Sequence, residues 1–306
     1  MSKINVCLNR CETYSYEVIK PLLNKQMDIL GVSADLSSKK ILLKPNLLSA
    51  GGSALSCSNP QFVKAVAACF LSRGAKVLLG DSPAFGSAAQ VLKQQGFTAA
   101  LSGLAVEHVV FKTRLVKKLP CGVSVGVAGE ALECDYFVNL PRIKAHDQMR
   151  VTMAVKNAFG IVLGVRKAWL HMKHGGSHRF FAEMILDLQD ILPPTFVFAD
   201  GIEVMNRRGP MKGSPLLLGC LAASKSGVAL DRAMLEVLEL EKKSVPLAMA
   251  ATKKRIAGAN LQDLEFPQSV PSDFAGSGFQ APVKLSPVRF RPFRYLRSSL
   301  KRILAA

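Results

Sequence analysis

"NPQFVKAVAACFLSRGAKVLLGDSP", residues 59–83, decides the fold class. Pro60 stands where a first helical turn tolerates proline, behind Asn59 or Ser58 as the capping residue. Apolar residues then recur at helical spacing, and Gly74 suits a left-handed helix end. "KVLLGDS" (76–82) follows at once as a short apolar strand. A helix running straight into a buried strand is half of a βαβ unit, and the same alternation extends both ways from this stretch.

Further strands are predicted at 4–8, 40–48, 107–111, 136–141, 195–201 and 216–224. Between them lie the amphipathic runs "YEVIKPLLNKQMDIL", "SAAQVLKQQG", "HRFFAEMILDLQDIL" and "ALDRAMLEVLEL". Residues 115–133 are punctuated by glycine and lack helical periodicity, which predicts a small antiparallel insertion. The expected fold is α/β, with a mostly parallel or mixed sheet carrying helices on both faces. Residues 1–256 form that domain, 257–287 a Pro/Gly/Ser-rich extension, and 288–306 a basic amphipathic helix. In the last of these Phe293, Leu296, Leu300, Ile303 and Leu304 share one face, largely opposite Arg294, Arg297, Lys301 and Arg302.

Forty Lys and Arg against 22 acids give a net charge of +18, which favours acidic or phosphorylated partners. The seven cysteines are odd in number, scattered, and mostly set in apolar runs. They read as reduced buried thiols in a cytosol; Cys7 and Cys11 lack a second pair nearby for a metal. The N-terminus has no signal-peptide pattern, and the longest apolar stretch is interrupted by Lys156 and Asn157 too early to span a bilayer. The expected location is cytoplasmic, peripheral at the membrane if residues 288–306 lie on anionic lipid.

In open α/β sheets ligands bind beyond the strand carboxyl ends. "ILLKPN" brings Lys44 and Asn46 there, "VLLGDSP" brings Asp81 and Ser82, "FVNLPRIKAH" brings Asn139, Arg142, Lys144 and His146, and "FVFADG" brings Asp200. Asp, Asn and Ser after a strand are also common turn and capping residues. Lys44 and Lys156 are harder to explain so, because each interrupts an apolar run where an ammonium needs a partner or an anionic ligand. Asn157 adjoins the second: read as a helix, "TMAVKNAFGIVLG" (152–164) projects both from a mostly buried element, while "ADGIEVMNRRGPMKGSP" (199–215) reads as a long polar loop after the strand that ends in Asp200. His171, His174 and His178 have the spacing of metal ligands on one helix face, but Gly175 and Gly176 argue against a continuous helix, and a basic lid over the site is the preferred reading. There is no G-x-G-x-x-G, no phosphate-binding G-x-x-x-x-G-K-[ST] and no G-x-S-x-G.

Taken together, "KPNLL", the opening stretch, "VNLPRIKAHDQMRVTMAVKNAFGIVLG", "ADGIEVMNRRGPMKGSP" and "AASKSGVALDRAMLEVL" resemble the prokaryotic family known as domain of unknown function 362. The resemblance runs in order through most of residues 40–240. It implies functional positions at Lys44, Asn46, Asp81, Lys144, His146, Lys156, Asn157, Gly160, Asp200, Gly209, Pro210 and Asp231. Many members carry a cluster module with C-x-x-C-x-x-C runs. This chain has none, so no iron–sulfur cofactor is expected from its own sequence. The family is also distantly similar to lactate racemases, a likeness of fold that does not fix function.

The leading expectation is an enzyme acting on a small anionic or phosphorylated compound at the strand carboxyl ends. Lys44, Asn46, Lys144, Lys156, Asn157 and Asp231 would bind it, His146 would act as acid or base, and Asp81 and Asp200 as base or divalent-metal anchor. A small anion is preferred over nucleic acid as the partner. The alternatives are a redox-accessory protein whose cluster sits on a separate chain, and a protein working at the membrane surface.

Overall fold

The structure, a computed structural model, describes residues 3–164 and 166–288. From the N-terminus run β1 (Ile4–Arg10), α1 (Tyr16–Ile29), β2 (Lys40–Pro45), α2 (Pro60–Leu71) and β3 (Lys76–Leu79). Two short helices, α3 (Ala88–Gln94) and α4 (Phe97–Ala100), lead to β4 (Val106–His108). The strands β5 (Arg114–Lys118) and β6 (Ser124–Ala128) form a separate antiparallel pair, as the glycine punctuation predicts. Then follow β7 (Tyr136–Leu140), β8 (Arg142–His146), β9 (Arg150–Thr152), α5 (Ala154–Ala158), α6 (Arg166–His174) and α7 (His178–Asp187). The chain closes with β10 (Thr195–Asn206), β11 (Ser214–Ser224), α8 (Gly227–Val237), α9 (Pro246–Lys253) and β12 (Leu264–Glu265).

The main sheet runs β12-β1-β11-β10-β7-β2-β3-β4, with β8 pairing with β10 and carrying β9. Contacts from β10 through β7, β2 and β3 to β4 are parallel, whereas β11 is antiparallel to both β1 and β10. Alternation along the strands supplies both faces. Ile41, Leu43, Val138, Phe196 and Phe198 pack under α1 and α2, while Leu42, Leu78 and Phe137 pack with α5, α7 and α9 on the other side. Further along that second side, Val197, Ala199 and Ala222 meet α8.

The opening stretch folds as its residues dictate. Asn59 caps α2, its side chain accepting from Gln61 N at 2.8 Å. Gly74 closes the helix end at φ +80°, where an added Cβ would lie 2.8 Å from Ser37 Oγ.

Three expectations are corrected. Residues 199–215, expected to leave the sheet as a polar loop after a strand ending at 201, instead extend β10 to Asn206 and start β11, with a register shift between Gly201 and Glu203. Residues 142–152, expected as a strand exit, form the β8–β9 hairpin. The helix expected from Thr152 to Gly164 is the five-residue α5 followed by a 3-10 turn over Phe159–Ile161. The extension after residue 256 packs on the domain, adding β12 beside β1 and ending in Val288, which is fully buried. Beyond Val288 the expected basic helix lies outside the described residues.

Candidate functional site

At the carboxyl ends of β2 and β3 lies a cleft of ≈ 480 Å³, open to solvent and walled by the β8–β9 hairpin, α5 and the start of α6. Lys44, Asn46, Asp81, Lys144, His146, Lys156 and Asn157, all expected from the sequence, line it. Thr152, Gly160 and Lys167 line it too.

Asn157 ties the floor together. Its Oδ1 accepts from Lys44 Nζ (3.2 Å) and Asn46 Nδ2 (2.6 Å), and its Nδ2 donates to Asn139 Oδ1 (2.7 Å). Asn139 in turn donates to Ala154 O at 2.8 Å, fixing the amide chain to α5. Lys44 pairs with Asp81 at 2.9 Å and donates to Pro45 O at 2.7 Å. Asp81 also accepts from Leu47 N and Ser82 N, both at 2.8 Å, so it is a fixed counter-ion. Gly160 permits this closeness, since a Cβ there would lie 2.3 Å from the Lys44 ammonium and 2.5 Å from Asp81 Oδ1.

Four lysines line the cleft with this one aspartate. Lys144 donates to the Asn46 side-chain carbonyl and to Ser56 O (2.6 Å), and Lys167 to Ser82 O. Lys156 reaches no carboxylate among the described residues; its ammonium lies 5.1 Å from the centre of the Phe159 ring. Burial lowers Lys156 to about 8, with the charge of Lys44 adding to it. Burial likewise takes Lys144 to about 7, opposed by the Cys57 thiol and assisted by Arg142, Lys156 and Lys44. Lys167 is lowered to about 7, by burial against the pull of Asp81 and with the push of Lys44 and Lys156. Each of these ammonium groups is underprovided with negative charge, a deficit that an anion in the cleft would relieve.

His146 is held in one tautomer. Its Nδ1 accepts from Gln148 N (3.1 Å) and Met149 N (3.2 Å), so in the neutral ring the proton sits on Nε2. Burial, then the charges of Lys156, Lys144 and His171, hold its pKa well below the usual imidazole value. Nε2 has no hydrogen-bond partner among the described residues, and in this tautomer it can donate but not accept. Thr152, cross-strand neighbour of Lys144, has a buried hydroxyl that is also without a partner there.

Two expected site residues are elsewhere. Asp200 is mid-strand because β10 runs on past it, and it sits on the Phe196–Phe198 face. There it accepts from Tyr14 Oη (2.7 Å) and Asn59 N (2.9 Å), and lies 3.8 Å from Arg142 Nε. Arg142 continues that network to Glu203 at 3.1 Å and does not line the cleft. Asp231 lies on α8, accepting from Ala154 N (2.7 Å) and Val155 N (3.1 Å) at the start of α5. It borders a separate, mostly apolar crevice of ≈ 400 Å³.

The three histidines are not brought together as a ligand set. The helix breaks after His174, as the glycines predict, and His178 begins α7. His171 Nδ1 lies 3.1 Å from Val288 O, His178 Nε2 lies 2.9 Å from Ser286 O, and His174 packs on Trp169 and Phe180. Among the described residues no group of three or more His, Cys, Asp or Glu could hold a metal ion.

The sequence reading missed Thr152 and placed Lys167 only within a basic lid. Helical spacing could have assigned Lys167, since it shares a face with Leu170 and His171. Nothing in the sequence marks Thr152, whose buried hydroxyl has no partner among the described residues.

The chain belongs to the family described as domain of unknown function (DUF362), whose model matches residues 41–236. It is 34% identical over 301 residues, 97% of this chain and 94% of the other, to a Synechocystis protein named as thylakoid-associated. Two solved structures share 14% identity at a TM-score of 0.47. They are the lactate racemase apoprotein of Thermoanaerobacterium thermosaccharolyticum (78% of this chain) and a structural-genomics protein from Thermotoga maritima (72%). The chain spans 57% of the length of each.

Proposed function

We propose that the cleft binds a small, multiply charged anion, a phosphorylated or polycarboxylated compound. The observation that carries this reading is four lysines with one aspartate among them, and that aspartate already committed to Lys44. Hydrogen-bond accounting divides the labour. Lys44 and Lys144 are held by Asn46, Asn157, Asp81 and Ser56 and shape the floor. Lys156 Nζ, His146 Nε2–H and the Thr152 hydroxyl have no such partners among the described residues and supply the contacts to the ligand. In this tautomer His146 is a donor to the anion, and the acid–base role expected for it from the sequence is not part of the proposal.

Thermal denaturation in sulfate, against chloride at matched ionic strength, tests the reading. Selective binding at ~100 times Kd adds about 2.7 kcal/mol to stability. Sulfate should therefore raise the melting temperature of the wild type and have little effect on Lys156→Gln. Equal shifts in both salts, or in both proteins, would refute it.

A second reading concerns location. The similarity to a thylakoid-associated protein over nearly the whole chain supports association with a membrane surface. Among the described residues no helix is long and apolar enough to cross a bilayer, so the association proposed is peripheral. Residues 289–306 contribute six Arg and Lys and no acid, suited to an anionic surface. The protein should pellet with vesicles containing phosphatidylglycerol and stay in solution with pure phosphatidylcholine; indifference to lipid charge would defeat the reading.

A further inference from the structure

Helix α6 has two distinct sides. Lys167, Leu170, His171 and His174 follow the i, i+3, i+4, i+7 spacing and face inward. Leu170 is buried, Lys167 reaches Ser82 O, and the His171 ring packs on Phe159 and Phe181. The outer stripe holds Trp169, Met172 and Lys173, with Arg166 half-buried against Gly126 at its start. Trp169 is 45% exposed and Met172 37%, although both are large and apolar. The Lys173 ammonium lies over the face of the Trp169 ring, 4.6 Å from its centre, so an exposed aromatic carries a cation.

Charge selects the partner. From Ile161 to Ala182 there is no acidic residue, while Arg166, Lys167, Lys173 and Arg179 are basic. An exposed tryptophan flanked by cations suits the lipid–water boundary, where the ring enters the headgroup region and the cations meet anionic lipid. Two apolar side chains on one short helix give only weak, reversible binding, so stable attachment needs a second signal. One starts beside this helix. His171 lies 3.1 Å from the carbonyl of Val288, the residue from which the basic segment 289–306 leaves, and no acidic residue follows Asp273.

We propose that the outer stripe of α6, centred on Trp169 and Met172, docks onto an anionic lipid surface beside the origin of segment 289–306. This rests on the membrane-surface reading above and is independent of the anion cleft. Trp169 is the sole tryptophan of the chain, so its fluorescence reports this one place.

The test uses the full chain with vesicles of phosphatidylglycerol and phosphatidylcholine whose acyl chains are brominated in a second preparation. Trp169 emission should shift to the blue on binding and be quenched by the brominated chains. Met172→Glu, an exposed position that should not disturb folding, should bind roughly tenfold more weakly and lose the quenching. Pelleting with unchanged emission and no quenching would overturn the α6 surface while leaving membrane association standing. Failure to pellet at all would overturn both.

Discussion

Asn157 and Lys144 show how residues with ordinary chemistry become a site. An asparagine engaged on both its oxygen and its nitrogen cannot rotate freely, so it fixes Lys44 and Asn46 and, through Asn46, the ammonium of Lys144. The lysines carry the pH dependence. Lys144 and Lys167 at about 7, and Lys156 at about 8, all lie below the ordinary lysine value of ~10.4. An anion favours their protonated forms, so binding takes up protons and must weaken as pH rises through that range. Sulfate keeps its charge throughout and isolates the protein's own titration. Its affinity should fall roughly tenfold between about pH 7 and about pH 9, and a flat profile would count against lysine contacts. Stability of the ligand-free protein moves the other way. In the same window the unfolded chain holds these protons and the folded one releases them, so the destabilisation from Lys144 is greatest below about pH 7 and is relieved above it. The wild type should accordingly gain stability relative to Lys144→Met as pH rises from about 7.

At the scale of elements, the short α5 is the part on which the site depends. Five residues form a marginal helix alone. This one is held by the Asp231 carboxylate at its first two N–H groups and by Asn139 at Ala154 O. Burial pushes the Asp231 carboxyl up to about 7 against those N–H bonds. Asp231→Ala should cost about 1–2 kcal/mol and also weaken sulfate binding, because Lys156 and Asn157 ride on α5. Asp200→Asn should lower stability by about 1–3 kcal/mol through the Tyr14–Asn59–Arg142 network while sulfate binding holds. If sulfate affinity fell with Asp200→Asn and not with Asp231→Ala, the division between cleft and scaffold would be wrong. Only part of this was legible beforehand. Lys44 and Lys156 stood out because an ammonium within an apolar run needs an explanation. Asp200 misled because Asp-Gly after "FVFA" looks like a turn, and the partners that let β10 continue come from Tyr14, Asn59 and Arg142, far away in the chain.

For the whole molecule, the alternation of apolar runs and capped helices was enough to place a mixed sheet between two helical layers, since burial on both faces requires it. The hairpin β8–β9 was not legible. Arg142, Lys144 and His146 make that strand look like a loop, and only their buried partners and the open cleft explain why they are tolerated in it. The resulting molecule gathers a basic cleft, the helix α6 whose first turn walls it, and the carbonyl of Val288 beside His171 into neighbouring positions. The central claim is that the cleft holds an anion through Lys156, His146 and Thr152. It is tested most directly by a crystal structure in selenate, read from the anomalous signal of selenium. The account predicts a selenate within hydrogen-bonding distance of Lys156 Nζ, His146 Nε2 and Thr152 Oγ1. A cleft without selenium signal, in crystals where selenate occupies other positions, would contradict it.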